Sequence, residues 1–118
     1  MTTETKPEVH LEDWPVKAIP EDLAILMRVR ERLSNPENWC QGTLINDYGA
    51  ACLVGSIALE SGWDGSAQTI VAYVNSARLA EKRLSLGIMG GVLDFNDTHT
   101  YAEILALLDK AIKEGLAE

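Results

Sequence analysis

Tyr48-Gly49-Ala50-Ala51-Cys52-Leu53-Val54-Gly55-Ser56-Ile57-Ala58-Leu59 contains no charged side chain. A helix that is apolar all round has to be covered on every side. The run therefore reads as the central helix of the fold, over residues 48–61, with Asp47 as its N-cap. Ala51, Gly55 and Ala58 set small residues along one side, where another backbone can come close. Gly62 supplies a left-handed C′ residue and Trp63 an apolar C″.

The neighbouring segments read as amphipathic partners for it. Pro20 suits the first turn of a helix, and Glu21 and Asp22 complement the positive end of its dipole. Leu23, Leu26, Met27 and Leu33 follow at helical spacing, with the stem of Arg30 completing the stripe. Pro36 ends this helix by disfavouring α geometry at Asn35. Asn35-Pro36-Glu37 then reads as a capped short turn that delivers Trp39. A third helix spans about Ala67 to Leu84, capped by Asp64 or Ser66. Its β-branched stretch 69–74 would also suit a strand, but Ile70, Val74, Ala77, Ala80 and Leu84 keep helical spacing. Leu86 to Leu93 reads as a glycine-rich apolar connection. Thr100-Tyr101-Ala102-Glu103 is a capping box opening the last helix, whose apolar face is Tyr101, Ile104, Leu105, Leu108, Ala111, Ile112 and Leu116.

The expected fold class is all-α: a compact bundle of about four main helices around the central apolar helix. It forms one domain over residues 20–118, preceded by an extended N-terminal leader, residues 1–19, with Trp14 as its anchor. A length of 118 residues leaves little room for a second domain. The apolar fraction of 47% suits a packed interior, and no uncharged apolar run reaches the roughly 20 residues of a membrane span. With no signal-peptide layout and two cysteines outside any CxxC motif, the expected location is cytoplasmic, with both thiols reduced.

The formal charge is −8, and residues 1–24 and 91–118 each hold six acidic against two basic side chains. That balance argues against binding double-stranded nucleic acid, which needs a basic face. An acidic surface that docks on a basic partner or mimics nucleic acid is the sharper alternative to simple charge-based solubility.

Few residues carry chemistry. Cys52 one turn into a helix, with His99, Asn96 and Asp97 before another, forms a Cys/His/Asn arrangement on paper. The surroundings Ala50-Ala51 and Leu53-Val54 instead suit an inert core cysteine. Cys40, Cys52, His10 and His99 lack the spacing of a zinc site, and Gly87-Ile88-Met89-Gly90-Gly91 is not a phosphate-binding loop, so neither a metal nor a cofactor is expected. Asn96-Asp97-Thr98 reads as a loop-to-helix signal, with Asp94, Asn96 and Asp97 as an alternative recognition loop.

Trp39 with Gly42, Cys52-Leu53-Val54-Gly55, Phe95-Asn96-Asp97, Thr100 with Glu103, and Leu107-Leu108-Asp109-Lys110-Ala111-Ile112 together resemble the pattern of DUF6197, a family of small bacterial and phage proteins of unknown function. The resemblance spans roughly residues 23–113. This chain departs from the pattern in having Phe95 where tryptophan is common, and in a shorter loop before the cysteine helix. The resemblance supports the helical boundaries and implies no reaction.

Three functions stay open on these residues. The leading one is a protein–protein interaction module with no chemistry of its own, in a phage or mobile-element setting and with inhibition of a host defence complex as one concrete form. Its contact candidates are Trp14, Trp39, Trp63, Asp94 and Asp97, and a homodimer is compatible with it. The alternative is a small thiol enzyme with Cys52 as nucleophile, His99 as base and Asn96 or Asp97 orienting it. The third is small-ligand binding between helices at the Ala51, Gly55 and Ala58 stripe.

Overall fold

The computed structural model describes residues 18–65, 70–86 and 91–118. Within them lie α1 (Glu21–Leu33), a 3-10 turn (Pro36–Asn38), α2 (Leu53–Glu60), α3 (Ile70–Leu84), α4 (Gly91–Thr98) and α5 (Tyr101–Leu116). The all-α class stands: the described residues form five α-helices and no strand, only two isolated β-bridges. Trp14 and the leader up to residue 17, the expected cap Ser66 and the glycine-rich stretch 87–90 lie outside the described residues.

Helix α1 starts after Pro20, whose extended backbone (φ −59°, ψ 149°) lets its carbonyl accept the first helical bond, from Ala24 N at 3.0 Å. Leu23, Ile25, Leu26, Val29 and Leu33 are buried, while Met27 is 36% exposed. The covered face is thus rotated from the expected stripe toward Ile25 and Val29, and Met27 falls at its edge. Tyr101 Oη donates to Leu33 O, occupying a carbonyl at the end of α1 that the helix itself leaves open. In the following turn Asn35 Oδ1 accepts from Glu37 N at 3.0 Å, as the Asn-Pro-Glu sequence requires.

The central helix is central but starts later than its uncharged sequence suggests. Gly49 has φ +87°, which no right-handed helix accommodates, and Tyr48 stands 95% exposed. Asp47 is therefore not the cap. Cys52 is, its Sγ accepting from Gly55 N at 3.3 Å. From Leu53 to Ala58 every residue is buried, and α2 packs against α1, α3 and α4. Its end follows the expected design: Gly62 is left-handed (φ +110°), Gly62 N donates to Leu59 O at 3.2 Å and Trp63 N to Ala58 O at 2.9 Å.

Residues 69–74 were ambiguous by propensity, and α3 is helical from Ile70, with Ala77, Ala80 and Leu84 buried. The expected connection is wrong at its far end, because Gly91–Thr98 is the helix α4. Val92 and Asn96, four apart, form its buried face, so a polar residue completes an apolar stripe that reads as broken in sequence. Helix α5 begins with the expected capping box: Thr100 N donates to Glu103 Oε1 at 2.8 Å and Glu103 N to Thr100 Oγ1 at 3.2 Å. Its buried line is Ile104, Leu108, Ala111 and Gly115, whereas Leu116 is 53% exposed.

Charged pairs tie the helices at the rim. Arg30 Nε meets Asp109 Oδ1 at 2.6 Å, and Arg83 meets Asp22 at 3.0 Å and Glu118 at 3.2 Å. Part of the acid at the two ends of the sequence is thus neutralised within the fold. No described helix is long and apolar enough to cross a membrane.

Candidate functional site

Of the polar residues singled out in sequence, Asn96 and Asp97 meet the segment between Trp39 and Cys52 through their side chains. This segment folds as a small knot. Its last residues lie between two earlier stretches, with Ala51 bridged in parallel to Trp39 and in antiparallel to Ile45. Ala51 N donates to Asn38 O (2.8 Å), Cys40 N to Ala51 O (3.2 Å), Asn46 N to Ala50 O (2.8 Å) and Cys52 N to Leu44 O (3.1 Å). Leu44 O lies against α2 where Gly55 has no side chain, since a Cβ there would come within 2.0 Å of it. The small-residue stripe expected to receive a ligand is filled at Gly55 by the chain's own backbone.

Asn96 locks the knot to α4. It is completely buried, and its side chain forms four hydrogen bonds, as many as an amide of this kind has sites for. Oδ1 accepts from Trp39 Nε1 at 2.8 Å and from Leu53 N at 3.0 Å, the latter a free amide of the first turn of α2. Nδ2 donates to Cys40 O and to Asp97 Oδ1, each at 3.1 Å. Asp97 Oδ1 also accepts from Gly42 N at 3.0 Å, and Gln41 Nε2 donates to Asn96 O at 3.0 Å and His99 O at 3.1 Å. Trp39 packs its ring against Tyr101, centroids 5.7 Å apart.

Cys52 lies at the centre of this arrangement with 1% of its surface exposed. Burial pushes its thiol up to about 11, and the Gly55 and Val54 amides offset only part of that rise. A nucleophilic cysteine needs the opposite shift. The His99 ring stacks on Phe95 (centroids 3.7 Å apart), and its Nδ1 lies 2.9 Å from Phe95 O and 3.1 Å from Thr98 Oγ1. The Asn96 bonds go to Trp39, Leu53, Cys40 and Asp97, which leaves none to orient that imidazole. Asn96 and Asp97 are thus joined to Cys52 through the backbone they hold, as parts of a latch.

The remaining contact candidates divide. Asp94 is exposed near the start of α4. Trp63 is half-buried, with Nε1 enclosed and making no hydrogen bond among the described residues. Trp39 and Asp97 belong to the latch. Among the described residues no cluster of three or more His, Cys, Asp or Glu could hold a metal. An open cleft of about 390 Å³ is lined by Arg28, Glu31, Arg32, Asn38 and Glu60. Both arginines there reach the Glu60 carboxylate, at 3.4 and 2.9 Å, so the cleft offers no unpaired guanidinium.

Tyr48 was missed in sequence, because the uncharged run absorbed it into a helix. It stands at the tip of the knot on a turn fixed from below. Asn46 Oδ1 accepts from Tyr48 N (2.9 Å) and Ala50 N (3.0 Å), and Gly49 N donates to Asn46 O (3.1 Å). The signal that could have found it is Asn46-Asp47-Tyr48-Gly49: an Asx-turn residue followed three positions on by glycine.

No curated protein and no solved structure gives a significant match to this chain. A family model described as "Family of unknown function (DUF6197)" matches residues 19–114, a stretch that includes the whole Trp39–Cys52 knot and the Asn96 latch. The chain belongs to that family.

Proposed function

We propose that this protein acts by protein–protein contact, with the Tyr48 turn as the element presented to its partner. The observation that carries this reading is the 95% exposure of Tyr48 on a turn held by the Asn46 side chain and a left-handed Gly49. An aromatic ring there adds nothing to the core. The backbone beneath it is held in place beforehand, so docking costs little backbone freedom, and a tyrosine ring has few rotatable bonds to fix. The exposed Asp47 beside it and Asp94 on α4 add negative charge. The partner that fits is a protein with an apolar socket and a basic rim; a host defence complex blocked by an acidic phage protein is one concrete form.

The cytoplasm is the compartment we propose, supported by two free cysteines. A thiol enzyme is disfavoured by the raised, enclosed Cys52, and a ligand at the small-residue stripe by the Leu44 backbone against Gly55.

The test is co-purification from the source cells of wild type and Tyr48→Ala in parallel. The variant should keep its denaturation midpoint, because the side chain touches water, and lose a stoichiometric partner that the wild type retains. A second copy of the chain would count as that partner. Equal recovery by both forms, or no partner with either, would sink the proposal.

A further inference from the structure

We infer that Cys40 and Cys52 form a modification site: a pair set to close into an intramolecular disulfide when the protein meets a low-molecular-weight disulfide. The inference rests on the backbone of the knot and holds whether or not Tyr48 docks a partner. Ala51 N donating to Asn38 O at 2.8 Å and Cys40 N donating to Ala51 O at 3.2 Å define the parallel bridge between Trp39 and Ala51. The next residues in register are Cys40 and Cys52. Successive side chains in extended chain alternate faces, so Trp39 and Ala51 share one face and the two cysteines sit side by side on the other. Cys52 is still extended (φ −74°, ψ −178°), so the register runs through it before α2 begins.

Paired chains lie about 4.8 Å apart. That spacing falls inside the roughly 4.4–6.8 Å between Cα atoms that a disulfide spans. Cys40 Sγ lies 3.3 Å from Ala50 O, which places its sulfur over the segment carrying Cys52. Both thiols are free. Their hydrogen bonds are weak ones, from Cys40 to the carbonyls of Thr43 and Ala50 and from Gly55 N to Cys52.

The exchange balances with glutathione disulfide as oxidant. Cys40, the less buried thiol, attacks one sulfur as its thiolate, forms a mixed disulfide and releases one glutathione. Cys52, as thiolate, then attacks Cys40 Sγ, and the second glutathione leaves. The protein loses two protons and two electrons, and the external disulfide is reduced to two thiols. Burial raises both thiols and the Asp97 carboxylate raises them further, so little thiolate is present at neutral pH and the exchange is slow. The bond closes the stretch 41–51, which contains Gln41 and Gly42 of the latch together with Tyr48.

The folded full-length chain is equilibrated in glutathione buffers of stepped ratio, quenched with acid, alkylated and weighed intact. The same titration is run in denaturant. The expected product is a monomer lighter by two hydrogens with no alkylatable thiol, and an equilibrium constant larger in the folded protein by a factor on the order of ten or more. A mixed disulfide on Cys40 that does not resolve, intermolecular dimers alone, or a constant no larger than in denaturant would overturn the inference.

Discussion

Asn96 ties three parts of the fold together, because one fully buried amide joins α4, the first turn of α2 and the backbone at Cys40. Asn96→Ala should cost about 3 kcal/mol or more, since Leu53 N and Trp39 Nε1 lose their acceptor inside the core. The urea midpoint measures it. Trp39→Phe keeps an aromatic ring against Tyr101 and removes one donor, for a loss of about 1 kcal/mol. Asp22 gives a pH signature. The Arg83 guanidinium, ahead of Lys82, holds its carboxyl at about 2 against an ordinary 3.8, despite the opposing effect of burial. Because the folded value is the lower one, the stabilisation is complete above the unfolded value and is lost as pH falls from about 5 toward 2. It should amount to about 1–2 kcal/mol, as the carboxylate is partly screened by water. Denaturation midpoints of wild type and Asp22→Asn should differ at pH 7 and converge near pH 2. At this scale the sequence shows which residue types matter but not where they meet. Asn96 and Asp97 carry the local look of a cap, whereas the side-chain partners of Asn96 at Trp39, Leu53 and Cys40 lie 43 to 57 residues away.

Helix ends with local chemistry were legible, and ends decided by backbone conformation were not. The capping box before α5, the proline stop after α1 and the glycine end of α2 depend on side chains within a few residues, so spacing reveals them. The start of α2 depends on Gly49 being left-handed and on Cys52 acting as a cap, and hydrophobicity carries neither. Helix α4 was hidden because its buried face includes an asparagine. Two substitutions test the elements directly. Gly55→Ala normally gains a helix about 1 kcal/mol; here the new Cβ meets Leu44 O, a backbone atom that cannot swing aside, so a net loss of about 2 kcal/mol or more is expected. Thermal unfolding followed by circular dichroism gives the sign. Glu103→Ala removes half of the capping box and should lower the midpoint of the same melts.

For the molecule as a whole, the central α2, buried from Leu53 to Ala58, was the decisive legible feature, and it makes the all-α class follow from sequence. The acidic ends change meaning once folded, because Asp22, Asp109 and Glu118 are drawn into pairs with Arg83 and Arg30. Asp47 and Asp94 remain out in solvent. The contact surface we propose is the turn carrying Tyr48. The most direct measurement is photocrosslinking in the source cells, with a photoreactive aromatic residue at position 48 and, as a control, at the exposed Glu81 of α3. The expected result is one discrete adduct from position 48 and none from position 81. The same diffuse background from both positions would contradict a role for this turn in partner binding.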